Sequence, residues 1–150
     1  MKLSHDELKN LMKNKLMKAG LNEDHADIAA EVMTWSDERG YHSHGAVRVE
    51  YYAERIAKGG ITANPKFEWE ETGPCSGVFE GDNGCGYAVA KYGMDKAIEM
   101  AKKNGIAVVG MKNMSHSGSI GYYTEMAAEQ GLLAISFCQS DPMAVPVGGT

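Results

Sequence analysis

Apolar residues recur at helical spacing through the first part of the chain. Ser4 and Glu7 form a capping box, which predicts that a helix begins after Ser4, and Gly20 ends this helix. A second helix is predicted to begin after Asn22, because asparagine caps helix N-termini, and to end near Gly40. Its broad apolar face consists of Ala26, Ile28, Ala29, Ala30, Val32 and Met33.

A third helical pattern begins near Ala46 and ends at Gly59 and Gly60. Together the three helices predict a compact helical unit over residues 1–62. The pattern then changes, because residues 66–71 alternate between apolar and charged side chains. That alternation is the spacing of a half-exposed strand.

Strand and helix patterns alternate in the second part of the chain. The predicted elements are a strand at 75–80, a helix at 87–104, a buried strand at 106–110, a helix at 120–130 and a strand at 132–139. This order predicts a sheet that is at least partly parallel and is covered by helices. The predicted fold class is therefore α+β, with an N-terminal helical unit followed by a mixed sheet with helices.

Composition narrows the classes of protein to consider. A chain of 150 residues with 43% hydrophobic content can bury one real core. A net charge of -5 without a basic run disfavours nucleic-acid and anionic-membrane partners. The three cysteines, Cys75, Cys85 and Cys138, are widely spaced, which indicates free thiols in a reducing cytoplasm. Neither a signal peptide nor a membrane-spanning apolar run is found, so a cytoplasmic location is predicted.

Residues 39–52 carry the densest group of reactive side chains. The triplet His-Ser-His at 42–44 lies between two glycines, which predicts a loop between two helices. Arg48 and Tyr52 are four residues apart and share one face of a helix. Arg48 offers a planar fork of donors that can grip a carboxylate in two places. His44 can exchange a proton near neutral pH. The stretch therefore suits chemistry on a small carboxylic acid.

Two other interpretations of this stretch stay open. A single histidine in a loop or a single arginine on a helix is more often an ordinary surface residue. A metal site is also possible, because His42 and His44 could supply two ligands. It is the weaker of these interpretations, since a third ligand would have to come from a distant part of the chain.

The glycine-rich turn at 81–86 resembles a phosphate-binding loop, because it lies between a strand and a helix. However, the third position of the dinucleotide fingerprint is Val89. The next predicted strand is followed by Met111, where an acidic residue would hold a ribose. A tight connection that lets the helix pack closely on the sheet is therefore favoured over a phosphate site.

The polar loop at 112–119 follows a predicted strand and contains His116 between two serines. Loops at the carboxyl ends of strands commonly carry the chemistry of open sheets, whereas His5 and His25 belong to ordinary exposed helices. In a parallel sheet the end of the next strand lies beside His116, and Asp141 could there stabilise its charged form. Alternatively, Asp141 caps a turn ahead of Pro142.

Three motifs carry a resemblance to a known family. They are His-Ser-His-Gly-Ala-Val-Arg at 42–48, Asn-Met-Ser-His-Ser-Gly at 113–118 with Gly-Tyr-Tyr at 121–123, and Asp-Pro-x-x-x-Pro-x-Gly-Gly at 141–149. In order and spacing they resemble the malate/L-lactate dehydrogenases that do not use a Rossmann fold. The resemblance covers essentially the whole chain. It implies NAD-linked oxidation of a small 2-hydroxy acid, with NADP as an alternative cofactor.

The resemblance also implies roles for individual residues. His116 matches the proton acceptor, and His44 matches a second active-site histidine that some members are thought to use as proton donor. Arg48 matches the residue that binds the substrate carboxylate. The remaining matches are Ser43 and Tyr52 in the substrate pocket, Ser140 at the cofactor, and Asp141 beside it.

Family members are homodimers and are considerably longer than this chain. The resemblance therefore implies that residues 1–62 are a substrate and dimerisation unit and that residues 63–150 are the first part of a cofactor-binding domain. The fold is expected to be incomplete. Two other classes stay open, namely a metal-dependent hydrolase or lyase using His42, His44 and His116, and a non-catalytic folded fragment.

Overall fold

The computed structural model describes residues 3–139 and 148–149. The elements are α1 (His5–Lys18), α2 (Glu23–Glu38), two short 3₁₀ turns (His42–His44 and Ala46–Arg48), α3 (Val49–Ala57), β1 (Glu68–Gly73), β2 (Ser76–Gly84), α4 (Gly86–Asn104), β3 (Val108–Met114) and α5 (Gly121–Ala128). Three helices are followed by a mixed sheet with two further helices, so the predicted α+β fold class is confirmed.

Local capping explains why the first two helices begin where they do. The Ser4 hydroxyl accepts a hydrogen bond from the Glu7 backbone N–H, and the Glu7 carboxylate accepts one from the Ser4 N–H at 2.8 Å. The capping box predicted at this position is therefore confirmed. The Asn22 side chain accepts from the His25 N–H at 2.9 Å and so caps α2.

A single hydrophobic core joins the helical part of the chain to the sheet. The predicted apolar face of α2 is buried, and it packs against α1, α4 and α5. Residues from all five helices belong to this core. The division of the chain near residue 62 into two domains stays a prediction.

The sheet has the strand order β1-β2-β3. Strands β1 and β2 form an antiparallel hairpin, whereas β2 and β3 are parallel and are connected through α4. Val78 lies opposite Gly110, and Phe79 lies opposite Met111. The parallel pair brings the carboxyl ends of β2 and β3 to the same edge of the sheet. The prediction of a partly parallel sheet is confirmed.

The strand predicted at 106–110 differs from the one observed. It begins at Val108 and continues to Met114, so its second half lies in residues predicted as a loop. The observed strand is also not buried, since Val108 is 67% exposed and the other residues of β3 are exposed or half-buried. The reason is that β3 is an outer strand of the described sheet and is covered by α4 on one face only.

The strand predicted at 132–139 is wrong for the structure described. These residues pair with no described strand. They do alternate between half-buried and exposed side chains, and the exposed ones include Leu133, Ile135 and Phe137. The alternation is therefore real, but a strand needs a hydrogen-bonding neighbour, and the described sheet places none beside this segment.

No helix within the described residues is both long and apolar enough to cross a membrane.

His25 is buried, although the sequence indicated an exposed helix position. Its ring stacks on Phe67, with ring centroids 5.0 Å apart, and its Nδ1 lies 3.0 Å from the Asn22 side-chain nitrogen. Asn22 also donates to the Ala63 carbonyl at 3.2 Å. These contacts attach the segment between α3 and β1 to the start of α2. Burial lowers the pKa of His25 below its ordinary value.

The lowered pKa makes stability dependent on pH in a definite direction. In the unfolded chain the pKa of His25 is about 6.5, whereas in the folded chain it is lower. As the pH falls, the unfolded chain therefore takes up a proton at His25 before the folded chain does. His25 therefore costs stability as the pH falls below about 6.5. We expect urea denaturation of His25→Gln to show a smaller loss between neutral and mildly acidic pH than the unsubstituted chain.

His5 provides a control of opposite sign. It is partly exposed, and its hydrogen bond to Glu38 raises its pKa. His5 therefore stabilises the folded chain at pH values below its unfolded pKa, and this stabilisation is lost as the pH rises. Without it, His5→Gln should lose more stability than the unsubstituted chain as the pH falls. Identical pH dependence in both variants would contradict this account.

Candidate active site

His116 is held by a loop that packs directly on the start of α4. The Ser115 hydroxyl accepts a hydrogen bond from the Gly86 N–H at 2.9 Å. A Cβ on Gly86 would lie 2.0 Å from the Ser115 carbonyl oxygen, so only glycine permits this approach. The end of α4 that a phosphate would occupy is therefore filled by the His116 loop. This contact supports the interpretation of the 81–86 turn as a tight connection.

His116 is exposed to solvent, and its ring is engaged through one nitrogen. Its Nδ1 lies 2.6 Å from the Tyr52 hydroxyl and accepts from the Gly118 N–H at 3.2 Å. The centroid of the His44 ring is 5.5 Å from that of His116. Burial is the main cause that lowers the pKa of His116, and the charges of His44 and Arg48 lower it further. His116 is thus a neutral imidazole at neutral pH.

Ser43, His44 and Arg48 form a connected group beside His116. The Ser43 hydroxyl lies 2.9 Å from His44 Nδ1, and Arg48 donates through Nε to the Ser43 carbonyl at 2.7 Å. Within the described residues Arg48 makes no other hydrogen bond, so its two Nη nitrogens are available as donors. The Arg48 charge also acts on Tyr52 and His116. A small anion held by the guanidinium would therefore lie next to the histidines.

Asp37 organises this loop and was not identified from the sequence. Its Oδ1 lies 2.9 Å from His42 Nδ1, and its Oδ2 accepts from the Ala46 N–H at 2.7 Å. A Cβ on Gly45 would lie 2.1 Å from Asp37 Oδ1, so the chain passes very close to the carboxylate. Asp37 lies in a charged run at the end of α2, where sequence patterns indicate only a solvated surface.

The structure brings together five of the predicted site residues, namely Ser43, His44, Arg48, Tyr52 and His116. Tyr52 is 4% exposed and its hydroxyl contacts His116, and its part in the substrate pocket stays a prediction. Ser140 and Asp141 lie outside the described residues.

His42 is turned toward Asp37 and away from the other two histidines. Among the described residues no group of three histidine, cysteine or acidic side chains is arranged to hold a metal ion. The metal-dependent alternative therefore lacks a ligand set in this part of the chain.

One cavity in the described residues does not coincide with this cluster. It is an open groove of about 710 Å³ between α2, α5 and the segment after α5, lined by Trp35, Arg39, Tyr41 and Leu132 among others. None of the five clustered residues lines it. We assign the chemistry to the His116 cluster, because that cluster contains the titratable groups and the anion-binding arginine.

Comparison with known proteins identifies the class to which this fold and cluster belong. Residues 3–150 match the malate/L-lactate dehydrogenase family, and the chain is a member of it. Ureidoglycolate dehydrogenase (NAD(+)) of Escherichia coli K12 is 56% identical over 149 residues, which are 99% of this chain and 43% of that protein. Malate dehydrogenase of Pyrococcus abyssi is 38% identical over 148 residues, covering 99% and 41% of the two chains.

Solved structures show the same architecture. The malate dehydrogenase from Pyrococcus horikoshii OT3 superposes with a TM-score of 0.84 at 37% identity, over 87% of this chain and 38% of that chain. The sulfolactate dehydrogenase from Methanocaldococcus jannaschii gives 0.82 at 36% identity, over 87% and 38%. The chain thus spans less than half the length of these relatives, as the expectation of an incomplete fold anticipated.

The Asp37 carboxylate should be a main support of the Ser43–Arg48 loop. We expect Asp37→Ala to lower the free energy of unfolding by about 1–3 kcal/mol, since it leaves the Ala46 N–H without its acceptor. The adjacent Glu38→Ala removes only an exposed contact to His5 and should cost less than about 1 kcal/mol. Urea denaturation of both variants measures the difference, and equal losses would contradict the role of Asp37.

Gly86 should be intolerant of a side chain. We expect Gly86→Ala to destabilise the chain by about 1–3 kcal/mol through overpacking against the His116 loop, although alanine favours helices. Gly110→Ala is the matched control, because the nearest atom to its Cβ would be a Val78 methyl at 3.8 Å. If chemical denaturation finds that neither substitution changes the free energy of unfolding, the His116 loop can move to admit a side chain at Gly86. That result would contradict the prediction.

Proposed function

We propose that this chain is the acid-binding and proton-transfer part of an NAD-dependent dehydrogenase that oxidises a small 2-hydroxy acid. The observation that carries the proposal is the cluster of Arg48 with two histidines, one of which has a lowered pKa. The first candidate substrate is (S)-ureidoglycolate, oxidised to oxalurate in allantoin degradation. Its support is the 56% identity to proteins named ureidoglycolate dehydrogenase (NAD(+)).

Arg48 would bind the substrate carboxylate. Its Nε is anchored on the Ser43 carbonyl, which restricts the plane of the guanidinium and leaves the two Nη nitrogens without a partner among the described residues. A carboxylate can accept two parallel charge-assisted hydrogen bonds from such a fork. Two contacts orient the acid as well as hold it, so the carbon that bears the hydroxyl group is directed to one side of the arginine.

His116 would accept the hydroxyl proton. A base must be unprotonated at the working pH, and the lowered pKa of His116 meets that requirement. Its Nδ1 is engaged by Tyr52, so Nε2 is the nitrogen left to face the substrate. Once protonated, the ring would be beside the carbonyl oxygen that has formed. His44, hydrogen-bonded to Ser43, would be the second proton carrier.

NAD, when bound, would accept the hydride from the carbon that bears the hydroxyl group. Ser115 occupies the start of α4, where a phosphate would bind, and the other candidate for the cofactor, Ser140, lies outside the described residues. The steps attributed to this chain are therefore limited to holding the acid and moving the proton. NAD is preferred to NADP because the relatives' names specify NAD(+).

Other acids of the same chemical class are the second candidates. Relatives named malate, L-sulfolactate and L-lactate dehydrogenase are 38%, 36% and 34% identical to this chain. These three names denote 2-hydroxy acids, as ureidoglycolate does, so the arginine fork and the base would serve each of them. We further propose that the whole protein is a cytoplasmic homodimer, as the family resemblance implies.

The test is NADH formation by the purified protein with ureidoglycolate, malate, lactate and sulfolactate in parallel. We expect ureidoglycolate to give the highest kcat/KM. We expect His116→Gln to lower kcat about 10²–10⁴-fold, which is the usual contribution of a positioned base. The exposed His5→Gln is the control and should leave kcat unchanged.

Arg48→Lys should raise KM for the acid about tenfold to a hundredfold. Lysine keeps the charge but loses the fork, and one charge-assisted hydrogen bond is worth about 1.5–3 kcal/mol. Arg55→Lys is the matched control, because Arg55 is an exposed arginine on α3 that donates to Tyr51. Binding of the acid without NADH formation would instead support a non-catalytic fragment.

A further inference from the structure

Tyr87 is buried with a hydroxyl group that has no hydrogen-bond partner. Its side chain is 1% exposed, and within the described residues its oxygen is the one buried side-chain polar atom left unsatisfied. An unsatisfied buried hydroxyl destabilises the folded state, and a phenylalanine would fill the same space without that cost. Packing alone therefore does not explain why this position carries a hydroxyl group.

The neighbours of Tyr87 lead directly to His116. The Tyr87 and Tyr52 rings meet edge to face, with centroids 5.3 Å apart, and the Tyr52 hydroxyl lies 2.6 Å from His116 Nδ1. The Tyr52 and Tyr87 hydroxyls do not meet the geometry of a hydrogen bond in this structure, yet they are close enough that their polar contact acts to lower the pKa of Tyr52 and to raise the pKa of Tyr87. Tyr87 thus contacts Tyr52, and Tyr52 in turn contacts His116.

The observed hydrogen bonds fix the position of the proton on neutral His116. A backbone N–H can only donate, so the bond from Gly118 makes Nδ1 an acceptor and places the hydrogen on Nε2. Tyr52 must then also donate to Nδ1. This arrangement can give a proton from Nε2, but it cannot take one there.

Accepting a proton at Nε2 requires the hydrogen on Nδ1. In that form Nδ1 donates to the Tyr52 oxygen, and the weak Gly118 contact at 3.2 Å is given up. The Tyr52 hydrogen must then turn to a new acceptor, or it would oppose the hydrogen on Nδ1. The unsatisfied Tyr87 oxygen is an acceptor close to Tyr52.

We propose that Tyr87 is a positioning residue for His116, whose hydroxyl receives the Tyr52 hydrogen whenever Nδ1 of His116 is protonated. The Tyr52–Tyr87 pair then lets His116 give or accept a proton at Nε2. The inference deepens the proposed function, because it names the groups that allow His116 to serve as a base. It assigns no contact between Tyr87 and the substrate.

Other titratable groups lie close to the side chains of Tyr87, Tyr52 and His116. His44 and Arg48 face His116 from the 3₁₀ turns, and both disfavour its protonated form. Cys85 and Tyr123 lie near Tyr87. Tyr123 donates to the Ser117 carbonyl at 2.7 Å, and the pKa of Cys85 is raised to about 11, so neither changes charge near neutral pH.

The test is to titrate the His116 ring nitrogens by NMR in the unsubstituted chain and in Tyr87→Phe, with His116→Gln used to assign the signals. Without the Tyr87 hydroxyl, protonation of Nδ1 forces two hydrogens together. We expect the pKa of His116 to fall by about half a unit to one unit, the equivalent of one net hydrogen bond. We also expect the neutral ring to stay entirely in the form with hydrogen on Nε2.

Tyr122→Phe is the matched control. Tyr122 is half-buried on α5, and its ring packs against Trp35 and Tyr123, away from His116. This variant should leave the His116 titration unchanged. The proposal is overturned if Tyr87→Phe gives the same His116 pKa and the same ring form as the unsubstituted chain.

Urea denaturation separates positioning from packing. An unsatisfied hydroxyl contributes nothing to packing, so Tyr87→Phe should keep or raise the unfolding midpoint. A lower midpoint with an unchanged His116 titration would make Tyr87 a structural residue and would also overturn the proposal. The titration needs neither substrate nor cofactor, so its outcome is independent of whether NADH formation is observed.

Discussion

The contact between Tyr52 and His116 joins the two parts of the chain on which the site depends. Tyr52 belongs to α3, and His116 follows β3, 64 positions later in sequence. The contact requires Tyr52 on α3 to reach Tyr87 on α4 and requires the His116 loop to lie against Gly86, where a side chain would not fit. The arginine and the second histidine stay in place because Asp37 holds the turn between α2 and α3. The site is thus a consequence of helix packing more than of any single loop.

Much of the architecture could be predicted from the sequence, because it depends on local signals. Caps, glycine stops and helical periodicity placed the helices within a few residues of their observed bounds. The prediction of a strand at 132–139 was wrong for a different reason. Its alternation was recognised correctly, but strand formation depends on a neighbour that no local pattern can supply. For the same reason β3 was expected to be buried, whereas it is an outer strand of the described sheet.

The site was predictable in part. Ser43, His44 and Arg48 are close in sequence, and both the local pattern and the family resemblance pointed to them and to His116. Asp37 was missed, because its role depends on Gly45 passing beside it and not on its own neighbours in sequence. The burial of Tyr52 could not be predicted for a related reason, since only its contacts with Tyr87 and His116 show which way its hydroxyl points.

The segment after α5 has the side-chain pattern of a strand without its partner. Leu133, Ile135 and Phe137 present apolar side chains to solvent, and the described residues pair this segment with no strand. Unpaired backbone groups beside apolar side chains are completed by a further strand. The solved relatives are more than twice as long as this chain, so residues beyond this chain can supply that strand and close this edge of the core.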